Sequence, residues 1–310
     1  GLRLPVAPPM LAGLLAAATF ALRRWAQEMR ERRRIRQAFA RYVSPAVAAE
    51  IDARPEPPRL GGERRMVSVI FTDVAGFTDM CESLVPETLN GVLNRYLDGM
   101  SRLFLSHGAT LDKFVGDAVI GFFGAPLPRE DHAAAALRLA LALDAFARDF
   151  AAQANADGVP FGVTRIGVHC GEATVGNFGG EQFFDYTAVG DAVNIAARLE
   201  GANKTFGTTI CVSEAVITGA GAVDCVARPI GELRLKGRLG YIPAWEVRPR
   251  STPGAPGYLE AYGLLKTDTA RAALLLAQMF DETPDDSLVA FHARRIACGN
   301  VGVFIELEGK

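Results

Sequence analysis

The sequence predicts an α+β sandwich in which a mixed or antiparallel sheet carries helices on its outside. Strand-like and helix-like segments alternate along most of the chain, and at least one pair of strands is joined by a turn too short for a crossover. Composition agrees: 49% hydrophobic and 22% charged residues among 310 form an ordinary globular balance with ample material for a core.

The chain starts at Gly1 rather than methionine and reads as a piece of a longer protein. Pro5 to Leu22 carries no charge, at the short edge of the roughly 17–25 residues a spanning helix needs. Arg23, Arg24, Arg30 and Arg32 to Arg34 follow it, a basic flank that places that side in the cytoplasm. A signal peptide would carry its positive charge before the apolar run. Residues 1–22 are therefore expected to form a transmembrane helix that ends a truncated sensor region, set in the cell (inner) membrane with the rest of the chain cytoplasmic. Residues 23–62 read as a helical transducer and linker. Trp25, Met29, Ile35, Phe39 and Tyr42 recur at helical spacing, a stripe that fits either a short dimerising coil or a helix packed on its own domain. Ser44-Pro45 marks a helix restart, and RPEPPRLGG, Arg54 to Gly62, a linker.

Residues 63–247 form the main domain. Met66 to Phe71, MVSVIF, is β-branched and aromatic, a buried strand ending at Asp73. Pro86 to Ser106 is helical through Leu89, Val92, Leu93, Tyr96, Leu97, Met100 and Leu103. Thr110 to Val115 and Ala118 to Phe123 are strands joined at Gly116-Asp117. A helix is expected from Asp131 to Ala152, a strand from Gly162 to Val168, a helix from Asp191 to Leu199 and a strand from Thr208 to Val212. Gly176, Gly179 and Gly180 read as a turn. Residues 248–310 are expected to be a linker and a helical tail, with one helix from Tyr258 to Phe280, a TPDD turn, and a second helix from Ser287 to Cys298.

A net charge of −2 argues against a nucleic-acid partner, which would require a basic surface. Cys81, Cys170, Cys211, Cys225 and Cys298 lie far apart without a CxxC pair, so neither a disulfide framework nor a zinc site is expected. No GxxxxGK[ST] motif is present, so a P-loop ATPase is not supported.

Two carboxylates stand out. Asp73 ends an apolar strand in FTDVAGFT, and Asp117 sits at a glycine turn between two apolar strands in KFVGDAVIGFF. Either one alone would be read as a turn cap. Together they have the chemistry to share hard cations beside substrate phosphates. Asn194 and Arg198 fall at i and i+4 on one predicted helix and so project from one face.

These segments occur in a fixed order: FTDVAGFT, KFVGDAVIGFF, RIGVHCGEATVGNFG, FFDYTAVGDAVNIAARLE, LKGRLG. Together they closely resemble the catalytic domain of class III adenylyl and guanylyl cyclases, over Glu63 to Val247. The resemblance implies a ferredoxin-like βαββαβ core and a homodimer with shared active sites. It implies that Asp73 and Asp117 bind two divalent cations, Mg2+ or Mn2+. Lys113, three residues before Gly116, and Thr187, three before Gly190, match the purine-reading positions. Lysine marks adenylyl rather than guanylyl cyclases, since an ammonium donates to adenine N1 whereas guanine presents a donor there. Threonine at 187 is similar to a subgroup whose members often respond to bicarbonate. The resemblance gives Asn194 the ribose, Arg198 the developing charge on the α-phosphate, and Arg165 and Lys236 the terminal phosphates. Asp73, Asp117 and Arg165 would come from one protomer and the other five from its partner. His169 is expected to be structural. FARYVSPAVAAEI resembles the transducer, and FHARRIACGNVGVFIEL the tail, of bacterial membrane-receptor cyclases. The expected activity is conversion of ATP to 3′,5′-cyclic AMP and pyrophosphate. A guanylate cyclase and a catalytically silent nucleotide-binding or dimerisation module stand as the alternatives.

Overall fold

The computed structural model describes residues 17–27, 29–30, 61–179, 184–235, 240–252, 254 and 256–307. Two units are distinguished, Gly1–Pro57 and Pro58–Lys310. In the first, residues 17–27 and 29–30 are helical, and Phe20, Leu22 and Trp25 are all exposed. Among the described residues no helix is long and apolar enough to cross a membrane. The expected span over residues 1–22 thus finds no support here, and residues 1–16, which hold most of that apolar run, lie outside the described residues. So does most of the expected transducer, residues 31–60.

The second unit runs β1 (Gly61–Val74), α1 (Phe77–Ser83), α2 (Pro86–Ser106), β2 (Thr110–Val115), β3 (Ala118–Phe123), α3 (His132–Ala156), β4 (Thr164–Gly179), β5 (Phe184–Val189), α4 (Asp191–Phe206) and β6 (Ile210–Ser213). It continues through α5 (Glu214–Ala220), β7 (Val226–Arg234), β8 (Tyr241–Arg248), α6 (Tyr258–Leu264), α7 (Thr269–Glu282), α8 (Ser287–Ala297) and β9 (Phe304–Glu306). The strands form one sheet in the order β2-β3-β1-β4-β6-β8-β7-β9, with β5 paired to β4. The first four strands of that order, β2-β3-β1-β4, pair antiparallel with one another and make the split βαββαβ arrangement that the resemblance implied, while β4 pairs parallel with β6.

Local chemistry explains the elements. Pro86 opens α2 at its first turn, where a missing N–H costs nothing, and Val92, Tyr96, Met100 and Phe104 form its buried i, i+4 stripe. Gly116 takes φ +64° in the β2–β3 turn, a conformation that favours glycine. Strand periodicity divides the core in two. Ile210 and Val212 of β6 face one cluster, built with α2, α3 and α5; Cys211 faces the other, built with α4, α6, α7 and α8.

Several expectations change. The β1 strand begins at Gly61, inside the expected linker. The β4 strand, expected to end at Val168, runs to Gly179, because both its edges are paired: Gly176 opposes Gly62 on one side and Thr187 on the other. Its glycines hid it, and Gly176 belongs to a ladder rather than a turn. The tail differs most. Its first helix is two, α7 being capped by the Asp268 carboxylate accepting from Arg271 N–H at 3.0 Å. The tail also contributes β9, parallel to β7, and is thereby built into the sheet rather than appended as helices alone. No disulfide joins the five cysteines.

Candidate active site

The site begins where the β1–β3 ladder ends. Backbone pairing stops at Phe71 opposite Ile120, and side chains take over. The Thr72 hydroxyl donates to the Val119 carbonyl at 3.2 Å and accepts from the Val119 N–H at 3.1 Å. One step on, the Val74 N–H donates to Asp117 Oδ2 at 2.7 Å. The Asp117 carboxylate therefore lies beside Asp73, whose neighbour it binds.

Asp73 is in register with Arg165 across the β1–β4 ladder, and the guanidinium donates to Asp73 Oδ2 at 2.7 Å. Arg165 Nε also stands 2.9 Å from Glu200 Oε1 on α4, an ion pair too far off line to be a hydrogen bond for either atom. The close approach of α4 depends on Gly167, where a Cβ would run into the Ala196 carbonyl and the Glu200 nitrogen.

Three carboxylates thus gather at this end of the sheet with one guanidinium, which pairs with two of them, Asp73 and Glu200. Burial raises Asp117 above the usual carboxylate range, and the charge of Asp73 adds to it against the pull of the Val74 N–H. Burial and then the charge of Asp73 push Glu200 up to about 7, with Arg165 opposing. A cation between Asp73 and Asp117 would relieve this surplus of negative charge, so the residues present fit a divalent metal. Among the described residues no group of three or more His, Cys, Asp or Glu side chains is placed to hold a metal, so the fit rests on a two-carboxylate site of the kind completed by substrate oxygens.

The remaining predicted residues fall into two places. Lys113 and Thr187 meet through a residue that sequence reasoning passed over, Asp112. The Thr187 hydroxyl donates to Asp112 Oδ2 at 2.8 Å, and Lys113 Nζ lies 3.6 Å from Asp112 Oδ1. Phe114, Val115 and Val189, close by in sequence, are exposed. Asn194 and Arg198 project from the outer face of α4. At 3.6 residues per turn they lie about 120–160° around the helix from Glu200, which points down at Arg165 and Asp73. Neither side chain has a hydrogen bond or ion pair among the described residues. One chain therefore brings Asp73, Asp117 and Arg165 together and turns Asn194 and Arg198 away from them. Arg165, expected at the terminal phosphates, is engaged with Asp73 and Glu200. Lys236 lies outside the described residues. His169 hydrogen bonds the Ser213 hydroxyl at 2.8 Å, tying β4 to β6.

Asp112 and Glu200 were both detectable by the criterion that found Asp73, a charge bordered by hydrocarbon, in ATLDKFV and AARLEGA.

Fold and site together define a catalytic domain of the nucleotide-cyclase class. The chain belongs to the family described as the adenylate and guanylate cyclase catalytic domain, whose sequence profile matches residues 62–247. Adenylate cyclase 1 of Rhizobium meliloti (strain 1021) is 39% identical over 185 residues, which cover 59% of this chain and 28% of that protein. Adenylate cyclase of Anabaena cylindrica is 31% identical over 190 residues, 59% of this chain and 37% of that one. The aligned segment thus spans about a third of the curated relatives' length. Among solved structures, the adenylyl cyclase CyaB from P. aeruginosa is 34% identical with a TM-score of 0.57, covering 63% of this chain and 100% of that one. The guanylyl cyclase Cya2 is 31% identical with a TM-score of 0.55, covering 64% and 97%.

Proposed function

We propose that this domain is an adenylate cyclase that converts ATP to 3′,5′-cyclic AMP and pyrophosphate at sites shared between two copies of the chain. The observation that carries the reading is the juxtaposition of Asp73 and Asp117, held by the Asp117–Val74 hydrogen bond at an open sheet end. Asp73 and Asp117 would hold two divalent cations, Mg2+ or Mn2+, which would supply positive charge to lower the pKa of the ribose 3′-hydroxyl and to balance the pyrophosphate leaving group.

The chain's own residues do the rest. Asn194 orients the ribose, and Arg198 neutralises charge growing on the α-phosphate, a task that suits a permanently charged planar donor. Lys113 donates to adenine N1. Arg165 and Lys236 bind the terminal phosphates, Arg165 by exchanging its Asp73 contact for a phosphate oxygen. Catalysis here is positioning and charge stabilisation, with no covalent step on the protein.

The division of residues on α4 supports the dimer. Because Asn194 and Arg198 face away from Asp73 and Asp117 of their own chain, a second copy must present them, and two-fold pairing then yields two equivalent sites. Exposed Phe114, Val115 and Val189 supply apolar surface for such a contact. The apolar run before Arg23 and the basic flank after it support attachment to a cell membrane, with the catalytic domain on the cytoplasmic side, as the output of a bacterial receptor.

Product analysis tests the reaction. Purified protein incubated with ATP, or with GTP, in Mg2+ or Mn2+ and then chromatographed is expected to give cyclic AMP and pyrophosphate. Cyclic GMP as the dominant product would make it a guanylate cyclase, and no cyclic product from either would make it a silent module.

A further inference from the structure

Asp112 is an anomaly that the reaction does not explain. It lies on a β2 strand whose register with β3 shifts between Leu111 and Lys113, a bulge that turns its carboxylate inward while Lys113 stays half exposed. The residue is 3% exposed, and Oδ1 has no hydrogen-bond partner among the described residues beyond the Lys113 ammonium at 3.6 Å. A buried carboxylate is costly to keep unless it holds something in place.

What it holds is a hydroxyl. A threonine hydroxyl can donate one proton or accept on two lone pairs, so by itself it is compatible with either a donor or an acceptor on the base. A carboxylate only accepts. Burial raises the Asp112 pKa above the usual carboxylate value, with the Thr187 hydroxyl and then the Lys113 charge opposing it; as a carboxylate, its Oδ2 takes the Thr187 proton at 2.8 Å. The Thr187 oxygen then has only lone pairs left for the pocket. Adenine offers a donor at position 6, its amino group; guanine offers an acceptor, O6.

We propose that Asp112 sets the purine choice of this domain: by fixing the Thr187 hydroxyl as an acceptor, it makes the pocket take a 6-amino purine and refuse a 6-oxo purine. This rests on the reading that Lys113 and Thr187 face the base. Asp112 is a positioning residue, acting through Thr187 and Lys113 rather than touching the substrate.

The test is Asp112→Asn, which keeps shape and removes charge. Lys113 draws the amide carbonyl toward itself, which turns the amide NH2 toward Thr187. Thr187 then accepts from the new amide and its proton is freed toward the base. Binding of 3′-deoxy-ATP and 3′-deoxy-GTP reads base choice without turnover, so failure to cyclise would count against the proposed reaction while the Kd ratio still decides this proposal. The expected result is a fall of about tenfold or more in the preference for the adenine over the guanine nucleotide, with 3′-deoxy-ITP gaining alongside the guanine form. In a Thr187→Val background the Asp112→Asn substitution should no longer change the preference, and a triphosphate with hydrogen at position 6 should not sense it. An equal loss of affinity for all nucleotides, or an undiminished effect of Asp112→Asn in the Thr187→Val background, overturns the proposal. An unchanged preference does so as well.

Discussion

Replacing Asp117 by asparagine is expected to lower kcat/KM for ATP by about a thousandfold or more, equivalent to ~4 kcal/mol of transition-state stabilisation, without lowering the melting temperature. The two effects separate because Asp117 does two things. Its Oδ2 accepts the Val74 N–H at 2.7 Å, which the amide oxygen of asparagine can also do, so the junction between β1 and the β2–β3 turn survives. Its charge faces Asp73 at some cost to the fold, which is why burial and then that neighbour raise its pKa. Removing the charge relieves the repulsion and removes one of the two carboxylates proposed to hold the cations. Asp73→Asn should lose activity equally but also weaken the Arg165 contact, so its melting temperature is expected to fall below that of Asp117→Asn. Steady-state kinetics with thermal denaturation decides this. An Asp117→Asn protein retaining more than about a tenth of its activity would remove the metal role assigned to this residue.

The second large effect concerns the tail. Arg228 on β7 donates through Nε to Glu246 Oε2 at 2.7 Å and makes a bidentate pair with Asp286, at 2.7 and 2.9 Å. Its guanidinium lies 4.8 Å from the centre of the Tyr258 ring, whose hydroxyl donates to the Pro229 carbonyl at 2.7 Å. The Arg228 and Asp286 side chains are only 4% and 6% exposed, so this is a buried ion pair joining the start of α8 to the sheet. Removing one partner of such a pair leaves an uncompensated charge, so Asp286→Ala is expected to cost about 3–5 kcal/mol of unfolding free energy. Loss of the cap on the Val289 N–H is included in that figure.

The pH dependence has a definite sign. Burial works to raise Asp286, but the hydrogen bonds and charge of Arg228, the Val289 N–H and Arg248 outweigh it and hold the folded-state pKa below the usual carboxylate value. The contribution is thus fully present above the unfolded carboxylate pKa, about 4, and is lost as pH falls through the lower folded-state value. Chemical denaturation should show a large gap between the parent and Asp286→Ala at pH 7 that narrows in acid below about pH 4. A gap under about 1 kcal/mol at pH 7 would mean that the network contributes no more than a surface pair.

Much of the fold was legible because its signals are local. The α2 helix and the β2–β3 hairpin match their predicted bounds, since a proline start, a 3.6-residue stripe and a glycine turn are all written within a few residues. The second half of β4 and the β9 strand were not legible, because what makes them strands is a partner far away in sequence: β1 and β5 for one, β7 for the other. Glycine-rich VGNFG has a turn's composition and becomes strand only through two paired edges. At the site, Asp73 and Asp117 stood out by type and position, whereas Asn194 and Arg198 were singled out only by the family resemblance. The bridge through Asp112 did not, because it depends on a bulge that no spacing rule reveals. Likewise the competition of Asp73 and Glu200 for Arg165 follows from the packing of α4 over Gly167, a tertiary contact.

Sites divided between two copies are tested most directly by mixing two inactive chains, one carrying Asp73→Ala and the other Asn194→Ala. Random pairing makes about half of the dimers hybrids, each with one doubly damaged site and one intact site, so the mixture should recover about a quarter of the parental activity. A mixture that subunit exchange has equilibrated and that turns over no faster than either variant alone would contradict the account.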